Sequence, residues 1–291
     1  MLFPLLLALT APPASSADWV YLDNGKIRLG VDRSSGACIG YLSESGSSRN
    51  LLNHFDRGRF VQQSYYGDED GSIWAKTPWR YNPVQGGEYR GGPSRLTAFR
   101  SHGGRMYARL TPRNWAGGQL LPEVTMEEWI DLHEMLVHVR YKMTYRGGHT
   151  HEKRSQEIPA VFTDPSLSTL VTYAGDRPWT GGALTARTPG WPNETQPITE
   201  SWFAYVDDQG YGVGACVPVS HVATCYRYTG SPESACSYAA PLTEFALTPG
   251  FTFSYDLYLT VGASAAIRAR FAALGHRTAA PMPARSSELG R

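Results

Sequence analysis

The sequence predicts a large antiparallel β-sandwich with one short helix near its C-terminal end. Runs of alternating apolar and polar residues recur along the chain, and turn sequences rich in Gly, Asn, Asp and Pro separate them. A helical pattern is recognisable only after residue 263. About a dozen strands are too many for a small barrel and suit two sheets packed face to face.

A run of antiparallel strands is predicted in residues 19–43. This segment alternates apolar and polar residues, and Asn24-Gly25 and Ser34–Gly36 are turn signals that divide it. The apolar side chains that share one face are Ile27, Leu29 and Val31.

Four further strands are predicted in the centre of the chain, in LTAFRS, RMYARLTP, EVTMEEWIDL and MLVHVRYKMTY. The last alternates cleanly, so we expect one face in the core and the other in solvent. The predicted core face consists of Val137, Val139, Tyr141, Met143 and Tyr145. The opposite face consists of His138, Arg140 and Lys142.

The second half of the chain is predicted to be less regular. Residues 157–197 are rich in Gly, Pro and Thr, which predicts two short strands followed by a long loop. Residues 202–230 predict another meander with a turn at Asp208–Gly210. Alternation from Phe251 to Leu259 predicts a strand, and Ser264 and Gly275 fit the N-cap and C-cap of the helix.

The 291 residues are assigned to one domain with a segment at each end. No linker or internal repeat interrupts residues 18–276, which form the predicted domain, and residues 277–291 are predicted to be a disordered tail. Residues 1–17 carry an apolar run followed by small residues, the pattern of a secretory signal peptide. That run is too short to cross a bilayer, so we expect a secreted, extracellular or periplasmic protein that is not embedded in a membrane.

The net charge of the chain excludes one class of binding partner. The formal net charge is +1, from 27 basic and 26 acidic residues, and gives no field that would attract nucleic acid.

Four cysteines in a secreted chain predict a disulfide. If VGACVPVSHVATCYRY is a hairpin, Cys216 and Cys225 lie opposite each other. Cys236 is close enough to compete, so we expect a pair among these three rather than a bridge to Cys38.

Aromatic, amide, acidic and guanidinium side chains are concentrated between Leu51 and Gly92. Aromatic faces cover the C–H faces of sugar rings, and planar amides and charged groups bind hydroxyls in pairs. We therefore interpret the stretch as a carbohydrate site; the alternative is a self-packed loop that closes one end of the sandwich. The residues predicted to bind substrate are Arg57, Gln62, Gln63, Tyr65, Trp79, Arg80, Asn82, Gln85 and Glu88.

The opening of the domain, VYLDNGKIRLGVDRSSGACIGYLSESGSSRNLLN, has a strand over DNG, then a G-A-x-I-x-x-L strand and then N-L. This order resembles the first meander of proteins of the galactose-mutarotase-like superfamily. FTFSYDLYLTVGASAAIRARFAAL is similar to their last strand and tail. The resemblance implies a sandwich of this type and an activity on carbohydrate, as in sugar epimerases, glycoside hydrolases and polysaccharide lyases. It does not identify the reaction.

Four side chains are predicted to be catalytic: Glu157, His151, His149 and Tyr66. Glu157 lies between polar and apolar neighbours, which can raise a carboxyl pKa into the range of proton transfer; the alternative is a salt bridge to an arginine. Pro159 marks its strand as irregular or as an edge. The two histidines are spaced to share a face, but no third ligand is visible, so no metal and no cofactor are predicted.

Three reactions remain open. A hydrolase would pair Glu157 with Asp56 or Glu88. An epimerase would use Glu157 as base and His151 as acid. A lyase would neutralise a uronic acid carboxylate and remove the α-proton with a Tyr or His. Its candidate neutralising residues are Arg57, Arg80, Gln63 and Asn82, and its candidate bases are Tyr65, Tyr66, His149 and His151.

The function that we expect is that of a secreted enzyme which cleaves a polysaccharide, as a glycoside hydrolase or a polysaccharide lyase. The alternatives are a secreted carbohydrate-binding module without catalysis and a sugar epimerase. The aromatic density favours a polymer over a monosaccharide, because a chain offers several ring faces for stacking.

Overall fold

The computed structural model describes residues 18–278, with side chains as far as residue 274. The predicted signal peptide and residues 279–291 of the predicted tail lie outside the described residues. Strands β1 to β7 are Trp19–Asp23, Ile27–Asp32, Cys38–Glu44, Gln62–Ser64, Glu69–Trp74, Thr77–Arg80 and Pro83–Val84. Strands β8 to β14 are Arg95–His102, Arg105–Thr111, Arg113–Asn114, Val124–His133, Leu136–Tyr145, His151–Thr163 and Thr169–Thr172. Strands β15 to β21 are Thr185–Arg187, Glu194–Pro197, Trp202–Val206, Tyr211–Cys216, Val222–Tyr228, Cys236–Leu247 and Thr252–Ala263, and helix α1 is Ser264–Thr278.

Two large antiparallel sheets face each other. The nine-stranded sheet has the order β15-β14-β17-β18-β21-β12-β11-β9-β8, and the seven-stranded sheet has the order β10-β7-β4-β13-β20-β19-β16. Ile158 and Val161 of β13 belong to the same buried cluster as Val139 of β12 and Leu257 of β21. Because apolar side chains of both sheets fill one core, the predicted antiparallel sandwich is confirmed.

The first three strands form a small sheet with the predicted turns. The Asn24 side chain accepts a hydrogen bond from the Lys26 amide at 3.0 Å, and Gly25 has a positive φ of 80°. Asp32 accepts a hydrogen bond from the Ser34 amide at 2.9 Å and opens a 3-10 turn, Arg33–Ser35. Both turns follow from residues that supply local hydrogen bonds or tolerate positive φ.

The core face predicted for β12 is confirmed, whereas His138, expected in solvent, is buried and bonds Asp256 at 2.7 Å. The five apolar side chains of that face are all buried, and β12 lies between β11 and β21 in the nine-stranded sheet. Helix α1 packs Ile267 and Phe271 against Trp202 on the outer face of that sheet. The helix continues three residues past Gly275, because one glycine costs an exposed helix only about 1 kcal/mol. Among the described residues, no helix is long and apolar enough to span a membrane.

The hairpin expected to bring Cys216 and Cys225 together does not form. Cys216 pairs with Tyr258 in the nine-stranded sheet, whereas Cys225 pairs with Ala239 in the seven-stranded sheet. A turn at Val217–Ser220 carries the chain from one sheet to the other. All four cysteines lie within the described residues, and each is a free, buried thiol, so the predicted disulfide is absent. Alternation alone does not distinguish a hairpin from a crossing between sheets.

Residues 157–197, predicted as two short strands and a long loop, contain the end of β13 and the whole of β14, and the predicted loop itself includes β15 and β16. Strand β13 extends over 13 residues, from His151 to Thr163, and lies between β4 and β20. Strand β20 was not predicted, since Pro241 interrupts its pattern. These two strands form the centre of the seven-stranded sheet and position the candidate site.

Candidate functional site

A groove of about 560 Å³ lies on the face of the seven-stranded sheet that points away from the core. Ala160, Phe162 and Tyr238 form part of its floor, whereas their neighbours Val161 and Ala239 face the core. The charged, amide, indole and phenol side chains that line the groove include Asp56, Arg59, Gln62, Tyr66, Trp74, Trp79, Asn82, Tyr89, Trp115, Glu157, Trp191, Tyr226, Tyr228 and Tyr238.

A bulge in β13 places Glu157 in this groove. Pairing with β20 shifts register between Glu157 and Val161, and pairing with β4 shifts between Glu157 and Ala160. Strict alternation from Ala160 would turn residue 157 toward the core, and the extra residue returns it to the groove. Pro159 lies inside the bulge, where a residue without an N–H is tolerated. The strand is irregular, as expected, but it is central, so the prediction of an edge is wrong.

The Glu157 carboxyl is partly exposed to the groove and surrounded by tyrosines. The Tyr66 hydroxyl donates to Glu157 Oε1 at 2.8 Å, and the Tyr238 hydroxyl is a second hydrogen-bond partner. Burial raises the pKa of the Glu157 carboxyl above its usual range, against the opposing effect of these two hydrogen bonds. Glu157 has no salt bridge among the described residues, so the carboxyl retains protons to higher pH than a surface glutamate.

Tryptophans of the β5–β6 hairpin build one wall of the groove. The rings of Trp74 and Trp79 lie edge to face with centroids 4.9 Å apart. Trp115, from the loop after β10, extends this stack at 6.1 Å from Trp74, and Tyr89 follows at 6.2 Å from Trp115. Edge-to-face packing leaves some ring faces free for a ligand.

The opposite wall comes from β19 and from the loop before β16. Trp191 packs at 90° on Tyr226, with centroids 4.8 Å apart, and 59% of its surface is exposed. Tyr226 packs in turn on Tyr238 at 4.5 Å. A ligand in the groove would therefore have aromatic rings on both sides and a carboxyl beneath it.

A second carboxyl, Asp56, also lines the groove. Its Oδ1 accepts a hydrogen bond from the Gly58 amide at 2.9 Å, and its Oδ2 lies 3.4 Å from Arg59 Nε. Asp56 and Arg59 thus form an ion pair at the groove. Glu88, the other carboxylate proposed as a partner of Glu157, does not line the groove.

Three of the residues predicted to bind substrate line the groove: Trp79, and Gln62 and Asn82, which are themselves only 1% and 3% exposed. Three others, Gln63, Tyr65 and Gln85, are completely buried. The Gln85 side chain accepts from the Gln63 amide at 3.0 Å and donates to the Gly36 carbonyl at 3.1 Å. These amides therefore satisfy irregular backbone inside the protein, where a substrate hydroxyl has no access.

The remaining three, Arg57, Arg80 and Glu88, lie outside the groove. Arg57 donates to the Ser34 carbonyl at 2.6 Å and so holds the 3-10 turn. Glu88 accepts the Gly92 amide at 2.7 Å and is buried. The Arg80 guanidinium lies 5.9 Å from the centroid of the Trp79 ring, within the range of a cation–π contact.

The predicted catalytic residues separate into two places. Glu157 and Tyr66 meet in the groove, whereas among the described residues no histidine lines it. His151 begins β13, six residues before Glu157, so the two are about 20 Å apart along the strand. His149 and His151 instead lie beside Asp68.

Several groove residues were not predicted, among them Trp115, Tyr226 and Tyr238. Tyr238 lies on the strand that the pattern missed. Tyr226 lies far from the aromatic stretch in sequence and joins it only through the pairing of β13, β20 and β19, whereas Trp115 follows β10, which pairs with β7 of that stretch. Alternate aromatic residues in CYRY, at Tyr226 and Tyr228, were a local signal for the wall formed by β19.

Comparisons with known proteins bear on the fold. Neither a family model nor any curated relative matches the chain. Among solved structures, a galactose mutarotase-like protein of Lactobacillus casei is similar with a TM-score of 0.57 and 11% identity, covering 84% of this chain and 99% of that one. A galactose mutarotase related enzyme of Lactobacillus acidophilus has a TM-score of 0.52 at 11% identity, covering 84% and 97%.

A third similar structure belongs to a larger protein. The 4-alpha-glucanotransferase of Thermococcus litoralis matches with a TM-score of 0.50 and 11% identity over 83% of this chain and 37% of its own. Identities this low show the fold and leave the reaction open. The chain therefore has the fold of the galactose mutarotase-like β-sandwiches, as the resemblance of its first and last strands implied.

Proposed function

We propose that this protein binds a carbohydrate chain in the aromatic groove and cleaves a glycosidic bond, with Glu157 as the proton donor. One observation carries the proposal: a carboxyl with a raised pKa lies on the floor of an open groove walled by indole and phenol rings. A protonated carboxyl can give its proton to the oxygen of the leaving sugar. The carbohydrate-related names of the structural neighbours support the substrate class.

Hydrolysis fits the groove better than elimination. A lyase would need a tyrosine or histidine base next to the substrate, but burial and the nearby Glu157 raise the pKa of Tyr66 well above its usual value. A phenol that resists ionisation is a poor base. An epimerase would need the Glu157 and His151 pair, which the length of β13 separates. In the hydrolase, Asp56 is the second carboxylate.

The second candidate is a carbohydrate-binding module without catalysis. The interactions of Asp56 favour it, because a carboxylate held by Arg59 and the Gly58 amide is restrained from activating water. In both proposals, the hydrolase and the binding module, the protein is secreted; this rests on the apolar N-terminal run.

The test is to incubate the chain from Asp18 onward with a panel of neutral and uronic acid polysaccharides. New reducing ends and the ultraviolet absorbance of unsaturated products are recorded together. We expect reducing ends without absorbance, and none with the Glu157→Gln variant. Absorbance would identify a lyase and overturn the hydrolytic mechanism. Retardation in an affinity gel without cleavage would replace it with the binding module.

A further inference from the structure

The histidines that lie outside the groove form a cluster with Asp68. We propose that Asp68, His149 and His151 bind a divalent transition-metal ion with the ligand preferences of zinc. One ligand atom from each residue lies within 4.8 Å of the others. Two imidazoles and one carboxylate are a common zinc ligand set, with a fourth position left to water.

The distances fit an ion better than direct hydrogen bonds. Asp68 Oδ2 is 3.4 Å from His149 Nε2 and 3.6 Å from His151 Nδ1. Strong hydrogen bonds to nitrogen are about 2.7–3.2 Å long. By contrast, ligands about 2.0–2.1 Å from a tetrahedral zinc ion are separated by about 3.4 Å from each other. The distances from Asp68 Oδ2 to His149 Nε2 and to His151 Nδ1 are thus already close to the separation between two ligands of a tetrahedral zinc ion.

Neighbouring groups orient the carboxylate toward the imidazoles. Arg154 Nη2 donates to Asp68 Oδ1 at 3.0 Å. The Glu152 amide donates to Oδ1 at 3.1 Å and more weakly to Oδ2 at 3.3 Å. Such outer contacts fix ligating carboxylates in metal sites. Oδ1 is therefore occupied, and Oδ2 is the oxygen available to an ion.

The imidazoles are also held in place. His151 stacks on Tyr81 with ring centroids 4.4 Å apart. The Asp68 amide donates to His151 Nδ1 at 3.2 Å, so this nitrogen carries a lone pair and not a proton. The Tyr145 hydroxyl donates to the His149 carbonyl at 2.8 Å and fixes the backbone of the second ligand. An ion would replace two weak hydrogen bonds, from the Asp68 amide to His151 Nδ1 and between His149 Nε2 and Asp68 Oδ2, with three coordinate bonds.

The position of the cluster defines what the ion would do. Asp68 directly precedes β5, whose hairpin carries Trp74 and Trp79, and His151 begins β13, which carries Glu157. Coordination would connect the hairpin wall of the groove to the strand beneath it. The expected role is structural, since the ion lies at the far end of β13 from the groove.

Zinc chloride is titrated into the purified chain by calorimetry, and cobalt is used as a spectroscopic probe of tetrahedral coordination. The His149→Ala variant tests the site without disturbing the core, because the His149 side chain is 68% exposed. The matched control is His102→Ala, an exposed histidine at the end of β8.

We expect one zinc ion per chain, binding at least about tenfold weaker in His149→Ala and in Asp68→Asn, and no change in His102→Ala. Tetrahedral cobalt bands should disappear in the same two variants. The proposal is overturned if the wild-type chain shows no saturable binding, or if His149→Ala binds zinc as tightly as the wild-type chain. An equal loss in His102→Ala would assign the binding to another place and would also contradict it.

Discussion

Glu157 and Glu128 are two carboxyls whose pKa is raised by burial, in regions of the molecule that differ in access. Glu157 lies on the groove face of the seven-stranded sheet, with Tyr66 and Tyr238 as partners. Glu128 lies on β11 in the nine-stranded sheet and is 1% exposed. Among the described residues, neither of its carboxyl oxygens has a hydrogen-bond partner of good geometry.

The difference shows which property distinguishes a candidate site. Burial raises the pKa of Glu128 to about 8, against a smaller opposing effect of Gln85. A shift of this kind also accompanies catalytic carboxyls, so the shift alone would mark both residues. Only Glu157 combines it with an open groove and hydroxyl donors. Access, and not the size of the pKa shift, separates the two.

The largest expected effect concerns stability against pH. The folded-state pKa of Glu128, about 8, lies above its value of 4.5 in the unfolded chain. Below pH 4.5 both states are protonated, and between the two values only the unfolded state ionises. The contribution of Glu128 to the free energy of unfolding therefore falls by about 4 kcal/mol as the pH rises from 4.5 to 8.

Urea unfolding of the wild-type chain and of Glu128→Gln, at several pH values in this range, measures that contribution. Glutamine is neutral throughout, so the variant should lose most of the decline in stability. Equal slopes for the two proteins would show that Glu128 is not the buried proton-binding group.

The next effect concerns the tyrosine partner of Glu157. The hydrogen bond from Tyr66 favours the ionised carboxylate, so Tyr66→Phe should raise the pKa of Glu157 further. The alkaline limit of the pH–rate profile should move to higher pH, because a general acid must be protonated. Tyr228→Phe removes a groove hydroxyl that is not among the hydrogen-bond partners of Glu157 in the described residues, so it should leave that limit in place. A shift toward lower pH in Tyr66→Phe would contradict the assignment.

The aromatic wall should carry binding affinity. Trp79→Ala removes a stacking surface from the groove and should weaken oligosaccharide binding about tenfold, roughly 1–2 kcal/mol. Trp179→Ala is the matched control, since this indole is 43% exposed and lies outside the groove. Calorimetric or fluorescence titration compares the variants. Equal affinities of the two variants would show that the hairpin is not part of the binding site.

The smallest effect concerns the turn of the hairpin that forms this wall. Ala75 and Lys76 connect β5 to β6 with positive φ angles of 49° and 66°. This is the conformation of a type I′ turn, for which Asn-Gly is the preferred sequence. The double variant Ala75→Asn and Lys76→Gly should raise the free energy of unfolding by about 1 kcal/mol. Denaturant unfolding measures it, and a loss of stability would mean that the turn conformation is different.

The fold was predictable because its signals are local. Alternation over Val137–Tyr145 and Phe251–Leu259 identifies the neighbouring core strands β12 and β21 without knowledge of their partners. The crossing at Val217–Ser220 was not predictable, because the same alternation fits a hairpin. Neither was β20, whose Pro241 lies inside a long central strand.

The candidate site was predictable only in part. The density of aromatic and polar residues led to Tyr66, Trp79 and Asn82, and the mixed surroundings led to Glu157. Residue type did not reveal that Gln63 and Gln85 turn inward, since a buried amide bound to backbone has the same sequence signature as a ligand-binding amide. The bulge that exposes Glu157, and the second aromatic wall, depend on pairing between distant strands.

The most direct test compares Glu157→Gln with Glu128→Gln on a polysaccharide that the wild-type chain cleaves, with turnover and oligosaccharide binding measured on the same preparations. We expect Glu157→Gln to lose at least about a hundredfold in kcat while binding persists, because only the proton donor is removed. Glu128→Gln should keep both. Undiminished turnover in Glu157→Gln, or its loss in a folded Glu128→Gln, would contradict the assignment of the groove carboxyl as the catalytic acid.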